Sequence, residues 1–126
     1  MMPGVTLDAG ALIAIQRADR RMQALLDEAH AAGLPIDVPA GALAQAWRAG
    51  PVQARLARAL HLPNVSVPVL DEPRAKAAGV LCGQHGTHDP IDASVVLNAR
   101  QRDQTVITSD PSDLRQLDPD LRIIAI

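Results

Sequence analysis

The chain has 126 residues, a formal net charge of −2 and 48% hydrophobic residues. That length suits one domain, 1–126, with a substantial core, and the charge excludes a generally basic protein that coats nucleic acid. Trp47 is the one aromatic residue, so the core must be aliphatic, and the stacking platform of many single-strand binders is missing. A local basic rim on an RNA-cutting enzyme is still compatible with this balance. Cys82 is the sole cysteine, which excludes an internal disulfide and a Cys-rich zinc site. The sequence shows neither a charged leader with an apolar signal core nor a run of membrane-spanning length. The expectation is a soluble cytoplasmic protein with no membrane partner.

In chain order, Val5–Leu7 reads as a short buried strand and Ala9–Ala18 as a helix leaving it. Asp19 caps a second helix reaching Ala32, with Gly33 as its stop. Ile36–Val38 is a second strand. Pro39 opens a helical stretch with Leu43 and Trp47 at i, i+4, closed by Gly50-Pro51, and Val52–Leu60 forms another helix. Val65–Val67 is a third strand, Asp71–Leu81 a helix and Gly83–His88 a loop. Pro90–Arg102 is a strongly apolar helix, Thr105–Thr108 a fourth strand and Leu121–Ile126 a fifth. Strands alternating with helices predict an α/β sandwich with a mainly parallel central sheet.

One phrase occurs twice, Asp89-Pro90-Ile91-Asp92 and Asp110-Pro111-Ser112-Asp113. Its plain reading is a helix start, with Asp as N-cap, Pro in the first turn and the second Asp at the positive end of the helix dipole. Placement argues for more. Sites in parallel sheets form outside the carboxyl ends of the strands. Asp8 directly follows the first strand and Asp110 the fourth, so neighbouring strands would bring both to one rim. Asp92 sits in the first turn of an apolar helix, on a stripe with Val96 and Ala99, where an acid is rarely left unpaired. Two carboxylates about 4 Å apart repel by roughly 4 kcal/mol at an effective dielectric near 20. Bound Mg²⁺ or Mn²⁺ would turn that repulsion into coordination.

The segments V-T-L-D-A-G-A-L-I-A, V-P-A-G-A-L-A-Q-A-W-R, D-P-I-D-A-S-V-V-L and V-I-T-S-D-P-S-D-L, in this order over nearly the whole chain, resemble a PIN domain. More narrowly, they resemble the VapC-like ribonuclease toxins of bacterial toxin–antitoxin pairs. The resemblance implies a PIN-like α/β/α domain, metal-dependent endoribonuclease activity on RNA, a small VapB-like antitoxin partner and a homodimer. Asp8, Asp92 and Asp110 match the family's acids, and Asp89 and Asp113 match positions where a further carboxylate often stands. The family pattern places Glu in the helix after the second strand, and Gln45 holds that position here. Gln can accept a hydrogen bond or a weak metal contact, but it supplies neither charge nor a base. The expected catalytic set is Asp8, Asp92, Asp110 and Gln45, with Asp8, Asp92, Asp110 and Asp89 as metal ligands.

Around these acids, Thr108, Ser109, Asp113 and Arg48 are candidates for contacting substrate. Arg55 and Arg58 would extend a basic helical side towards RNA phosphates, or form a solvated face. His85 and His88 lie next to Asp89 in sequence, as substrate contacts or as exposed loop residues. Trp47 reads as core or partner-facing, and Cys82 as a small buried filler. Two other functions stay open: a PIN-like fold that has lost catalysis and acts by binding RNA or antitoxin, as Gln45 would permit, and an unrelated phosphatase-like or receiver-like metal-binding domain. The receiver reading is weakened because such domains gather a near-adjacent acid pair after the first strand, where only Asp8 stands.

Overall fold

The computed structural model describes residues 3–126. Strands β1 (Val5–Leu7), β2 (Ile36–Asp37), β3 (Val65–Ser66), β4 (Thr105–Thr108) and β5 (Ile123–Ala125) form one sheet in the order β3-β2-β1-β4-β5. Every pairing is parallel, with Val5 opposite Ile36 on one side and Thr105 on the other. A receiver-like sheet runs 2-1-3-4-5, so this order removes that reading. Helices α1 (Ala9–Gln16), α2 (Arg20–Ala31), α3 (Ala40–Ala46) and α4 (Ala54–Leu60) follow β1 and β2, whereas α5 (Glu72–His85), α6 (Pro90–Arg102) and α7 (Pro111–Leu117) follow β3 and β4. The helix α1 packs against α2, α3 and α4, and α5, α6 and α7 pack on one another. The sheet lies between these two groups, which makes three layers.

Most elements follow their local signals. Asp19 caps α2 by accepting from the Met22 amide at 2.8 Å, and Asp71 caps α5 through Arg74. The helix α5 runs beyond the expected loop at Gly83 to His85 and stops at Gly86, whose φ of 65° gives the left-handed turn that ends helices. Trp47 departs further. Its backbone is extended (ψ 130°), it ends α3 in place of joining it, and it is 40% exposed. A 3₁₀ turn at Pro51–Gln53 precedes α4 and breaks the single helix that the sequence suggests. Leu7, Leu12, Met22, Ile36, Leu56, Val95, Val96 and Ile107 fill an aliphatic core, and Cys82 is buried beside it as a small filler.

A polar network interrupts that core. Thr6 and Asp37 are opposite one another in the β1–β2 register, and both are fully buried. Asn98 of α6 donates to Thr6 Oγ1 at 3.0 Å and to Asp37 Oδ2 at 3.1 Å, and Arg102 Nε lies 2.9 Å from Asp37 Oδ2. Thr6 in turn donates to Gln104 Oε1 at 2.7 Å. Five side chains thereby tie α6 to β1, β2 and the start of β4, which sets the register of the helix that carries Asp92. Polar residues inside Val5-Thr6-Leu7 and Ile36-Asp37-Val38 are the sequence signal for this network.

Two stability outcomes follow from this packing. Gly4 has φ 106°, and a Cβ there would stand 2.1 Å from the Pro35 carbonyl oxygen. Gly4→Ala is expected to cost about 3 kcal/mol, read as a lower urea midpoint at unchanged m. Arg102→Leu leaves Asp37 charged and buried. Because the Arg102 side chain is half exposed, the expected loss is about 2 kcal/mol, below the range for fully buried pairs. The double variant with Asp37→Asn should recover part of it.

Candidate metal and active site

The site is assembled from three chain segments at the carboxyl rim of β1 and β4. Asp8 leaves β1 as the N-cap of α1, and its Oδ1 accepts from the Ala11 amide at 2.9 Å. Its other oxygen, Oδ2, accepts a hydrogen bond from the Thr108 hydroxyl at the end of β4. That hydroxyl also accepts from the Asp110 amide at 2.9 Å. Thr108 thus couples the first acid to the turn that carries the third. The pairing of β1 with β4 brings Asp8 and Asp110 to one rim, as the strand-end positions imply.

The two Asp-Pro phrases both start helices. Asp89 caps α6, its Oδ1 accepting from the amides of Ile91 and Asp92 at 3.0 Å each, with Asp92 in the first turn. Asp110 occupies the N-cap position of α7 without using its side chain as a cap, and Asp113 stands in that helix's first turn. Ser112 donates to Asp110 Oδ1 at 3.2 Å. Two glycines let these helix starts converge. A Cβ on Gly10 would stand 2.1 Å from Ser109 Oγ, and one on Gly41 would stand 2.6 Å from Ile91 Cδ1.

The carboxylates act on one another. Burial raises the Asp8 pKa, partly offset by its hydrogen bonds from Thr108, Ala11 and Gly10, and the Asp110 charge raises it further. Asp92 is pushed up to about 7, first by burial and then by the charges of Asp89, Asp8 and Asp113. Asp113 is raised by its hydrogen bond to Asp110 and by that neighbour's charge. No base neutralises the group. Among the described residues the ion pairs are Lys76–Glu72, Arg100–Asp118, Arg102–Asp37 and Arg122–Asp103, and all lie elsewhere. The donors are all carboxylate oxygens, the chemistry that hard divalent cations take. Among the described residues, however, no three His, Cys, Asp or Glu side chains already stand as a metal cage. The acids are near enough to couple electrostatically, and a cation would have to draw them together.

Several expected contacts fall elsewhere. Thr108 is fully buried beneath the acids with its one proton committed to Asp8, which makes it a support and not a substrate contact. Arg48 lies in the loop after α3, its guanidinium bonded to the Trp47 carbonyl at 2.6 Å and its amide to Gln53 Oε1. Arg55 and Arg58 line a groove with Gln23, Leu26, Asp27 and His30 of α2, not the acidic cluster. His85 ends α5 on an exposed turn and His88 is exposed, and neither hydrogen-bonds an acid of the cluster. Gln45 is exposed on α3 and bonds none of the acids. Its link to them is indirect: Gly41, one turn earlier, meets Ile91, the residue before Asp92. Ser109 is exposed at the rim, against the first turn of α1.

The raised Asp92 pKa has a direct consequence for stability. The folded state holds this proton up to about pH 7, whereas the unfolded chain releases it near the ordinary aspartate value of about 3.9. The stabilisation is full below that lower value and is lost as pH rises through about 7. In metal-free buffer the melting temperature is expected to fall between pH 5 and pH 8. Asp92→Asn should flatten that fall and melt higher than the parent at pH 8, as thermal unfolding followed by circular dichroism would register.

No protein-family model matches the chain, and no curated protein matches it in sequence. Solved structures match it in fold. A chain of the VapBC2 complex from Rickettsia felis, bound to a DNA fragment from their promoter, superposes with a TM-score of 0.72 at 15% identity, over 97% of this chain and 98% of that one. FitAcB from Neisseria gonorrhoeae gives 0.63 at 20% identity over 95% and 96%. FitAB bound to an IR36 DNA fragment gives 0.63 at 17% over 96% and 94%. Likeness at such identities is likeness of fold. The chain has the three-layer PIN-like fold shared with these VapBC and FitAB structures.

Proposed function

We propose that this protein is a metal-dependent endoribonuclease, the toxin of a toxin–antitoxin pair. The observation that carries the reading is the cluster of Asp8, Asp92, Asp89, Asp110 and Asp113, mutually repelling and paired with no base. Such a cluster persists at a sheet rim when its partner is a cation supplied from outside. The fold likeness to complexes of the VapBC and FitAB kind supports an antitoxin partner, and a homodimer is proposed from the sequence resemblance.

Asp8, Asp92 and Asp110 would hold Mg²⁺ or Mn²⁺, and Asp89 would contribute the oxygen that does not cap α6. Held by these carboxylates, such an ion would supply Lewis-acid polarisation of a phosphate and acidify a water. The protein supplies orientation. Thr108 fixes the rotamer of Asp8 while leaving each of its oxygens a further lone pair. Gln45 would accept a hydrogen bond from a water but cannot remove its proton. No membrane role enters the reading, and no helix among the described residues is long and apolar enough to cross a membrane.

The test is cleavage of a structured RNA with Mg²⁺ or Mn²⁺. Asp8→Asn and Asp92→Asn are each expected to lower the rate by about a hundredfold or more while circular dichroism stays unchanged. Retained cleavage in either would sink the assignment. Gln45→Glu is expected to raise the rate by restoring the missing charge. A parent that cleaves nothing, together with an active Gln45→Glu variant, would favour the second reading, in which catalysis has been lost and binding remains.

A further inference from the structure

A groove of about 390 Å³ opens beside the acidic cluster. Gly10, Ile13 and Ala14 of α1 form one side, and Ser109 and Ile126 the other. It starts where Gly10 meets Ser109, next to Asp8, and ends at Arg17 and Asp19. Across the 8 residues of α1 this is a run of about 12 Å at 1.5 Å per residue. The α1–α2 turn that closes it is tightly held: Arg17, Ala18 and Asp19 donate their amides to the Ile13, Ile15 and Ala14 carbonyls. Ala18 is left-handed at φ 56°, a strained conformation for a residue with a Cβ. Asp19 is occupied in capping α2. Arg17, and Arg20 and Arg21 in the next turn, are exposed and enter no ion pair among the described residues.

We infer that this groove is the path of a single RNA strand away from the acidic site, with Arg17 contacting its phosphates and Arg20 and Arg21 extending the contact. The inference rests on the nuclease reading for the identity of the strand. An acid-lined centre repels a polyanion, so binding needs cations close by; Arg17 lines the end of the groove, and Arg20 and Arg21 follow it in the first turn of α2. The apolar side from Ile13, Ala14 and Ile126 suits sugar and base faces without reading sequence. The hydrogen-bonded turn fixes the backbone from which Arg17 projects.

The experiment measures anisotropy of a fluorescent single-stranded RNA 12-mer with the full chain carrying Asp8→Asn, between 50 and 200 mM KCl. Arg17→Gln, the triple Arg17→Gln/Arg20→Gln/Arg21→Gln, and Arg55→Gln on the other groove are compared in that background. Removing one arginine–phosphate pair should reduce the slope of log K against log salt by about 0.7. The expected result is a reduction near that for Arg17→Gln, a larger one for the triple variant and none for Arg55→Gln. Unchanged slopes in the arginine-turn variants, an equal fall with Arg55→Gln, or no RNA binding at 50 mM salt would each overturn the groove. Failure of the groove and failure of the nuclease reading are distinguishable. A parent that cleaves RNA with unmoved slopes would leave the nuclease standing and remove the groove; slopes that fall in a protein that cleaves nothing would do the reverse.

Discussion

The parallel pairing of β1 with β4 is the constraint on which the rest depends. The chain moves outward from β1 through β2 to β3, then crosses back to lay β4 on the other side of β1. Right-handed crossovers place the helices of these two excursions on opposite faces of the sheet. The connection after β1 therefore turns towards α1 while the one after β4 turns towards α7, and a crevice opens between them. This is the switch point at which open α/β sheets build sites. Asp8 and Asp110 stand at its two lips, joined underneath by the Thr108 hydroxyl.

Electrostatics then divides the molecule. Away from the rim, several charges are answered locally: Arg102 meets Asp37, Arg100 meets Asp118 and Arg122 meets Asp103. At the rim they are not, and the carboxyl pKa values of Asp8, Asp92 and Asp113 rise in response. The helix starts reduce the cost without removing it, because the amides and the positive dipole ends of α1, α6 and α7 face the acids. Asp89 shows how the two duties combine. One of its oxygens caps two amides of α6, and its charge still reaches Asp92 and Asp113.

The five strands and the α6 span are legible in the sequence because short apolar runs bounded by Asp, Gly and Pro are local signals. Trp47 is not, because periodicity with Leu43 takes no account of where the backbone must turn to reach the 3₁₀ segment at Pro51. Arg48 and Arg17 show the same limit for function. Each is an arginine just past a helix of similar length, and only packing shows that one folds back on its neighbour's carbonyl while the other ends the groove that begins at Asp8.

By itself the sequence determined the layer order, the caps and the three acids that follow or open elements, since these depend on residues adjacent along the chain. Tertiary structure decided what those acids are to one another. Asp8, Asp92 and Asp110 are more than 15 residues apart, and whether they repel, share protons or face a base depends on which strands pair and which helix starts converge. The support beneath them was also beyond local reading. Thr108 reads as a rim hydroxyl in the sequence and is buried under Asp8 in the fold, and the Asp37–Asn98–Thr6 network is made by contacts 61 and 92 residues apart. A hydroxyl or carboxamide takes its role from the partner that burial assigns to it.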